Sequence, residues 1–245
     1  MFVLAEASPR AATAVRQPWT WQRLGALTLV LLLALLLWDA SGLDLPLARL
    51  FGGPHGFAWQ DNPVLVVGLH AWPRRLGWLL LLALVAGTLR PWGFLRALAP
   101  AERWRLLASV VLALLAVQGV KHASATSCPW DLAEFGGVAH YVSHWAWGLG
   151  DGGPGRCFPA GHASTAFAFL AGWFTLRRRV PRLARRWLVA VLVAGLVLGL
   201  VQQVRGAHYM SHTFWTAWIC WTVGWLLDGL GSLRRHGRAH ATNAG

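Results

Sequence analysis

An all-α, polytopic membrane fold is predicted by three features of this sequence. Hydrophobic residues make up 56% of its 245 positions and 17 of them are tryptophan, more apolar and aromatic than an ordinary soluble domain. Six apolar runs approach bilayer-spanning length, at about Leu24–Trp38, Leu76–Leu89, Leu106–Val120, Ala163–Leu176, Trp187–Val201 and Phe214–Leu227. Arginines crowd alternate connections between these runs, the pattern of a chain that crosses a bilayer repeatedly.

The clusters are Arg10, Arg16 and Arg23; Arg90, Arg96, Arg103 and Arg105; Arg177, Arg178, Arg179, Arg182, Arg185 and Arg186; and Arg234, Arg235 and Arg238. The positive-inside rule then puts both termini in the cytoplasm and the odd-numbered connections outside, together with Asp39, Asp44, Asp61, Asp131, Glu134 and Asp151. In a soluble protein the net charge of +13 would suggest nucleic acid. Distributed this way it implies the lipid bilayer as partner and no nucleic acid.

The expected organisation is a cytoplasmic tail over residues 1–23, one six-helix domain over 24–230 and a basic cytoplasmic tail over 231–245. Trp38-Asp39-Ala40-Ser41-Gly42 is a poor small-residue cleavage site, so the first run reads as an uncleaved anchor. Ser41 to Arg75 reads as an external loop lying partly in the interface, with His55 and His70 as surface or packing residues. The second run is the weakest span, and the side assignments depend on it.

The third connection, roughly Ala123 to Pro159, is the longest polar segment and the expected home of function. It is entered through Lys121, the only lysine of the chain. Within it, the neighbourhood of His140 and His144 reads as a short helix. Gly148 to Gly155 reads as a flexible hinge, since it lacks the Gly-Lys-Ser/Thr ending of a nucleotide cradle. An oxidising outer compartment would let Cys128 and Cys157 pair; two separate buried thiols are the alternative. His140 with His144, and His208 with His212, share helix faces, but without a Glu in the usual place they are weak zinc ligands, and no metal or cofactor is expected.

The connection ends in Arg156-Cys157-Phe158-Pro159-Ala160-Gly161-His162-Ala163-Ser164, where a cation, a glycine and a histidine meet the start of an apolar helix. Unpaired N–H groups in a first turn favour an anion, a glycine lets it approach the backbone, and a histidine can move a proton. A second polar segment, Gln202-Gln203-Val204-Arg205-Gly206-Ala207-His208-Tyr209-Met210-Ser211-His212, closes the fifth run, and so many polar groups at a membrane helix end mark a site. On the last run Trp215, Trp218, Trp221 and Trp225 form a stripe read as a lipid-facing or packing surface. Helix parity puts Lys121 and both polar segments on the same outer face. Lys121, Arg156, Arg205 and the backbone around Gly161 would hold phosphate oxygens. Of two separated histidines, one would attack phosphorus and the other would transfer protons.

These blocks resemble the type 2 phosphatidic acid phosphatases, relatives of bacterial acid phosphatases and vanadium haloperoxidases. The family pattern is Lys, six residues, Arg-Pro; then Pro-Ser-Gly-His; then Ser-Arg, five residues, His, three residues, Asp. This chain has Lys121, six residues, Cys128-Pro129; then Pro159-Ala160-Gly161-His162; then Gln202, five residues, His208, three residues, His212. The likeness spans about half of the chain, with a motif-bearing core near 104–228, and is strongest to a subgroup with Cys-Pro-Trp-Asp-Leu and Pro-Ala-Gly-His-Ala-Ser blocks. The resemblance implies six helices with an outward-facing site, in a bacterial inner membrane. It makes His208 the nucleophile, His162 the acid/base and Lys121 a phosphate ligand.

Four positions depart from the pattern: Cys128, Ala160, Gln202 and His212. Arg156 and Arg205 are the expected replacements for the missing arginines. His212 would orient His208 in place of the aspartate, and Asp131 or Glu134 would supply the missing charge. The implied activity is metal-independent hydrolysis of a lipid phosphate or diphosphate monoester. Lipid phosphotransfer through the same intermediate, and non-catalytic binding or transport of an anionic lipid, are the competing readings.

Overall fold

The structure, a computed structural model, describes residues 19–146 and 148–243. Arg10 and Arg16 lie outside these residues. Helix α1 (Trp21–Ser41) starts behind Thr20, whose hydroxyl accepts the Arg23 N–H at 3.3 Å, and stops at Gly42 in the left-handed conformation at φ 66°. A short α2 (Asp44–Arg49) and a two-residue hairpin, β1 (Gly52–Gly53) with β2 (Gly56–Phe57), follow. Ala48, Phe57, Leu132, Phe135, Ala139 and Tyr209 form a small apolar cluster of their own at this end of the bundle.

The segment expected to lie as a loop in the interface is helical. Asn62 accepts the N–H groups of Val64 and Leu65 at 3.0 and 3.2 Å and launches a π-helical stretch, Val64–Ala71, that runs directly into α3 (Trp72–Leu89). After α3, Pro100 occupies the first turn of α4 (Pro100–Ala123), and the Glu102 carboxylate accepts the Ala99 N–H at 2.9 Å. The fourth apolar run is broken into α5 (Ser164–Phe167), a 3₁₀ turn and α6 (Ala171–Leu176). Helices α7 (Pro181–Val204) and α8 (Met210–Asn243) complete the chain, α8 continuing without a break into the basic C-terminal segment.

Among the described residues four helices are long and apolar enough to cross a membrane: Trp21–Ser41, Val64–Ala97, Pro100–Ala123 and Pro181–Val204. Two of the six expected spans fall short of that mark for identifiable reasons. The fourth run is short, Ser164–Leu176, and buried among its neighbours. The first turns of α8 carry Ser211, His212, Thr213 and Thr216, all buried inside the bundle, which lowers the helix's hydropathy. Leu33, Leu37, Leu79, Leu82 and Val193 point outward from α1, α3 and α7 as a lipid-compatible belt.

Helix α8 packs chiefly on α1 and α4. The tryptophan stripe of α8 is a packing surface, and each of its indoles donates to α1. Trp215 reaches the Asp39 carboxylate at 2.9 Å, Trp218 the Thr28 carbonyl at 3.0 Å, Trp221 the Thr28 hydroxyl at 2.9 Å and Trp225 the Trp21 carbonyl at 3.1 Å. Helix α7 approaches α8 through Gly199, where a Cβ would fall 2.2 Å from the Thr213 methyl. The far end of the bundle is closed by the buried Asp228, which accepts from Arg177 at 2.7 Å and Arg178 at 3.0 Å.

Replacing Thr28 by valine keeps the shape but takes away the acceptor of the Trp221 indole. The expected cost is about 1–2 kcal/mol, read as a lower Tm in detergent, with Thr28→Ser retaining wild-type stability.

Candidate active site

Three chain segments converge at one end of the bundle on a cavity of about 480 Å3. Its walls include Lys121, Gly161, His162, Gln202, Arg205 and His208, residues that the sequence reading selected from three separate blocks. The loops are tied to one another as well as to the helices. Cys128 and Cys157 form a disulfide across a separation of 29 residues. The Trp130 N–H donates to Gly206 O at 2.9 Å, joining the first block to the third. The Ala160 N–H donates to His212 O at 3.2 Å, joining the second to α8.

His208 sits in the turn between α7 and α8, which Gly206 opens at φ 74°. Its Nδ1 lies 3.4 Å from the Cys157 sulfur and 3.5 Å from His212 Nδ1, so both neighbours are behind the ring and Nε2 is the nitrogen left for the cavity. When Nδ1 carries the hydrogen and His212 accepts it, the lone pair of His208 is on Nε2, as a nucleophile requires. Burial, with the nearby Lys121 cation adding to it, pushes the His208 pKa down to about 3, so the ring is neutral at physiological pH.

His162 is tied to the π-helical stretch before α3: its Nε2–H donates to Leu69 O at 3.1 Å, leaving Nδ1 for proton transfer. The far face of the ring is covered by His70, stacked at 4.3 Å between centroids and 18° between planes. Burial first, then His70, lowers the His162 pKa to about 4. A phosphate dianion brought next to it raises that value, and the imidazole can then carry the proton that a leaving oxygen needs.

The cations are arranged differently from the sequence reading. The Lys121 stem runs beside Gly161, where a Cβ would be in ordinary contact with it, 3.4 Å from Lys121 Cδ and 3.5 Å from Gln118 Nε2. Arg205 is buried at the rim, its Nε donating to Gln60 O at 2.9 Å, Nη1 donating to Gln202 Oε1 at 3.3 Å, and its guanidinium lying 5.8 Å over the Trp130 ring. Arg156 is not brought to the cavity. It is exposed, with φ 56°, and its N–H pairs with Ser124 O in the loop behind.

The acids expected to supply the missing charge are also used elsewhere. Asp131 accepts the Cys128 N–H at 3.1 Å and caps its own 3₁₀ turn, with burial pushing its carboxyl up, while Glu134 pairs with Arg49. A different carboxylate stands behind the histidines. Asp39 of α1 accepts from Trp145 and Trp215, each at 2.9 Å, and lies 3.2 Å from His144 Nε2; the His144 ring in turn stacks on Phe158 at 4.1 Å and meets His212 edge-on at 5.9 Å.

Two further expectations need correction. The stretch around His140 and His144 forms turns, not a helix, because the His140 N–H pairs across the loop with Asp151 O. The glycine-rich segment is anchored and not a hinge: the buried Asp151 carboxylate accepts the N–H and hydroxyl of Ser127 and the Gly153 N–H. Ligand atoms of Cys128, Cys157 and His208 lie within 4.8 Å of one another, but the two sulfurs are bonded together, which leaves one imidazole for any metal.

His70, expected as a surface or packing residue, and Arg74 and Gln118, which no motif marks, all stand in the cavity wall. A signal existed for the first two: they lie four residues apart around a proline at the start of the second span, on one helix face.

The family model described as the PAP2 superfamily matches residues 102–230 of this chain. The chain is similar in fold to the crystal structure of a transmembrane PAP2 type phosphatidylglycerolphosphate phosphatase from Bacillus subtilis, with a TM-score of 0.51 at 14% identity, covering 86% of this chain and 96% of that one. No curated relative matches the chain.

Two measurements probe this architecture. The folded pKa values of His162 and His208 lie below the unfolded value of 6.5. Between those limits the unfolded chain binds more protons, so stability should fall as pH drops from about 6.5 toward 4. His162→Gln should make that loss shallower in denaturation at a series of pH values. Reduction of the Cys128–Cys157 bond should cost about 3–4 kcal/mol by loop-closure entropy, visible as a lower Tm in dithiothreitol and absent from Cys128→Ser/Cys157→Ser protein.

Proposed function

Since the chain belongs to the PAP2 superfamily, we propose that it is an integral-membrane lipid phosphatase that hydrolyses a lipid phosphate or diphosphate monoester through a phosphohistidine. The observation that carries this reading is one cavity holding His208 with a free Nε2, His162 with a free Nδ1 on another wall, and Lys121 laid across Gly161.

In the first step Nε2 of His208 attacks phosphorus in line, forming the N–P bond as the P–O bond to the lipid breaks. His162 donates a proton to the departing oxygen. In the second step water attacks the phosphohistidine and gives its proton back to His162, releasing inorganic phosphate and restoring His208. Lys121, with the backbone N–H groups near Gly161, balances the charge on the equatorial oxygens. His212 is the positioning residue for the His208 ring. No step calls for a metal ion.

A lipid substrate is favoured by what adjoins the cavity. A groove of about 640 Å3 between α3 and α7, lined by Leu76, Leu80, Leu84, Val191, Leu198 and Phe169, shares Gly77, Thr165 and Phe169 with the polar cavity. A hydrocarbon chain lying there puts an attached phosphate at the polar end. The positive-inside pattern supports a six-crossing arrangement in a bacterial inner membrane, with both termini cytoplasmic and the cavity at the periplasmic leaflet. An oxidising periplasm also suits the disulfide.

Purified protein in detergent should release inorganic phosphate from phosphatidate without an added acceptor, and should do so equally in EDTA. His208→Ala should lower the rate by about 10³-fold or more, and His162→Ala should nearly match it. Unchanged release by the His208 variant would remove the nucleophile assignment.

A further inference from the structure

The cross-link between the loops lies against the Nδ1 edge of His208, the side turned away from the open cavity. Ligand atoms of Cys128, Cys157 and His208 all fall within 4.8 Å of one another. Cys157 Sγ is 3.4 Å from His208 Nδ1, and His212 Nδ1 is 3.5 Å from the same nitrogen. A tetrahedral zinc with bonds of about 2.0–2.1 Å to imidazole nitrogen and about 2.3 Å to thiolate sets neighbouring ligand atoms roughly 3.3–3.8 Å apart. Two edges of such a tetrahedron are already present. Two thiolates with two imidazoles are also a donor set that suits zinc. While the sulfurs are bonded to each other they offer no thiolate, so the site belongs to the reduced chain.

Other bonds hold the loops when the cross-link is opened. The Cys157 N–H donates to Thr126 O at 2.8 Å, the Trp130 N–H to Gly206 O at 2.9 Å and the Ala160 N–H to His212 O at 3.2 Å. The Cα atoms of the two cysteines stand 5.2 Å apart. A reductant also has a route, because Cys128 is half-buried and lines the polar cavity, whereas Cys157 is fully buried behind it.

We infer that reduction of the Cys128–Cys157 bond creates a zinc site, with Cys128 Sγ, Cys157 Sγ, His208 Nδ1 and His212 Nδ1 as ligands, and that zinc bound there switches the phosphatase off. The inhibition rests on the phosphatase reading above; the binding does not. The co-reactant is a dithiol. One of its thiolates attacks Cys128 Sγ, and the electron pair of the S–S bond leaves on Cys157 Sγ. Its second thiolate breaks the mixed disulfide, so the dithiol is oxidised to a disulfide and the protein gains two thiols. Zinc then displaces the two thiol protons. It also takes the Nδ1 lone pair of His208, which confines the ring hydrogen to Nε2. The lone pair that attacks phosphorus is thereby lost.

Untagged protein in detergent, reduced with dithiothreitol and desalted under nitrogen, should bind about one Zn2+ more per chain than the oxidised protein. Co2+ in its place should give a thiolate-to-cobalt charge-transfer band. Zinc should raise the Tm of the reduced protein and leave that of the oxidised protein unchanged. It should cut phosphate release from phosphatidate by the reduced protein at least about tenfold, reversibly in EDTA, without affecting the oxidised protein. Cys128→Ser should lose both the cobalt band and the zinc-dependent rise in Tm. No reduction-dependent uptake, or a reduced protein that stays unfolded with zinc present, would overturn the site while leaving the phosphatase reading in place. Uptake with full phosphate release would overturn the inhibition. If the oxidised protein releases no phosphate, the phosphatase reading falls, and the cobalt band and Tm still decide the site.

Discussion

A bilayer offers no hydrogen-bond partners, and that constraint shapes the contact on which this bundle depends. An indole placed between two membrane helices has to find its acceptor inside the protein. Helix α8 carries a row of them, and α1 meets each with a carbonyl, a hydroxyl or a carboxylate. The direction of each indole fixes the rotation and the height of α8 against α1, and α8 in turn fixes His212 and the turn that presents His208. A stripe of leucines would bury similar area without selecting one register.

The cavity end has the complementary problem of holding loops rigid where the helices stop. Here backbone groups and one covalent bond do the positioning. The disulfide cross-links two of the loops, and its Cys157 sulfur rests against His208 Nδ1. The Leu69 carbonyl, in the π-helical stretch before α3, accepts from His162. Gln202 accepts from Arg205, one turn later in the chain, and so holds the guanidinium at the cavity rim.

Much of this was legible in the sequence and some was not, for physical reasons. Lys121, Gly161, His162, Gln202, Arg205 and His208 could be chosen because motif spacing at helix ends survives without knowledge of packing. Arg156 stands beside cavity residues in the chain, yet the loop turns there through its left-handed backbone and leaves the residue exposed away from the cavity. His70 looked like a surface residue because the segment around it was read as interfacial loop; Asn62 capping extends the helix backward and swings His70 over His162. The partners of Asp39 were out of reach, since they depend on which faces of α1 and α8 meet. The break in the fourth run and the buried polar face of α8 were hidden by the averaging that makes apolar runs visible.

Asp39 lies far upstream of residues 102–230, as do His70, Thr28 and Trp21. Those upstream residues accept the indoles of α8, cover His162 and stand behind His144. The stretch that carries the recognisable chemistry is therefore not a portable module. Its inheritance can be traced by a few motif residues, while its ability to stand as a structure is owned jointly with two helices that have no motif at all. Any recombination between relatives would have to exchange α1 and α3 together with the core, and the boundaries of common descent and of mechanical independence in this chain do not coincide.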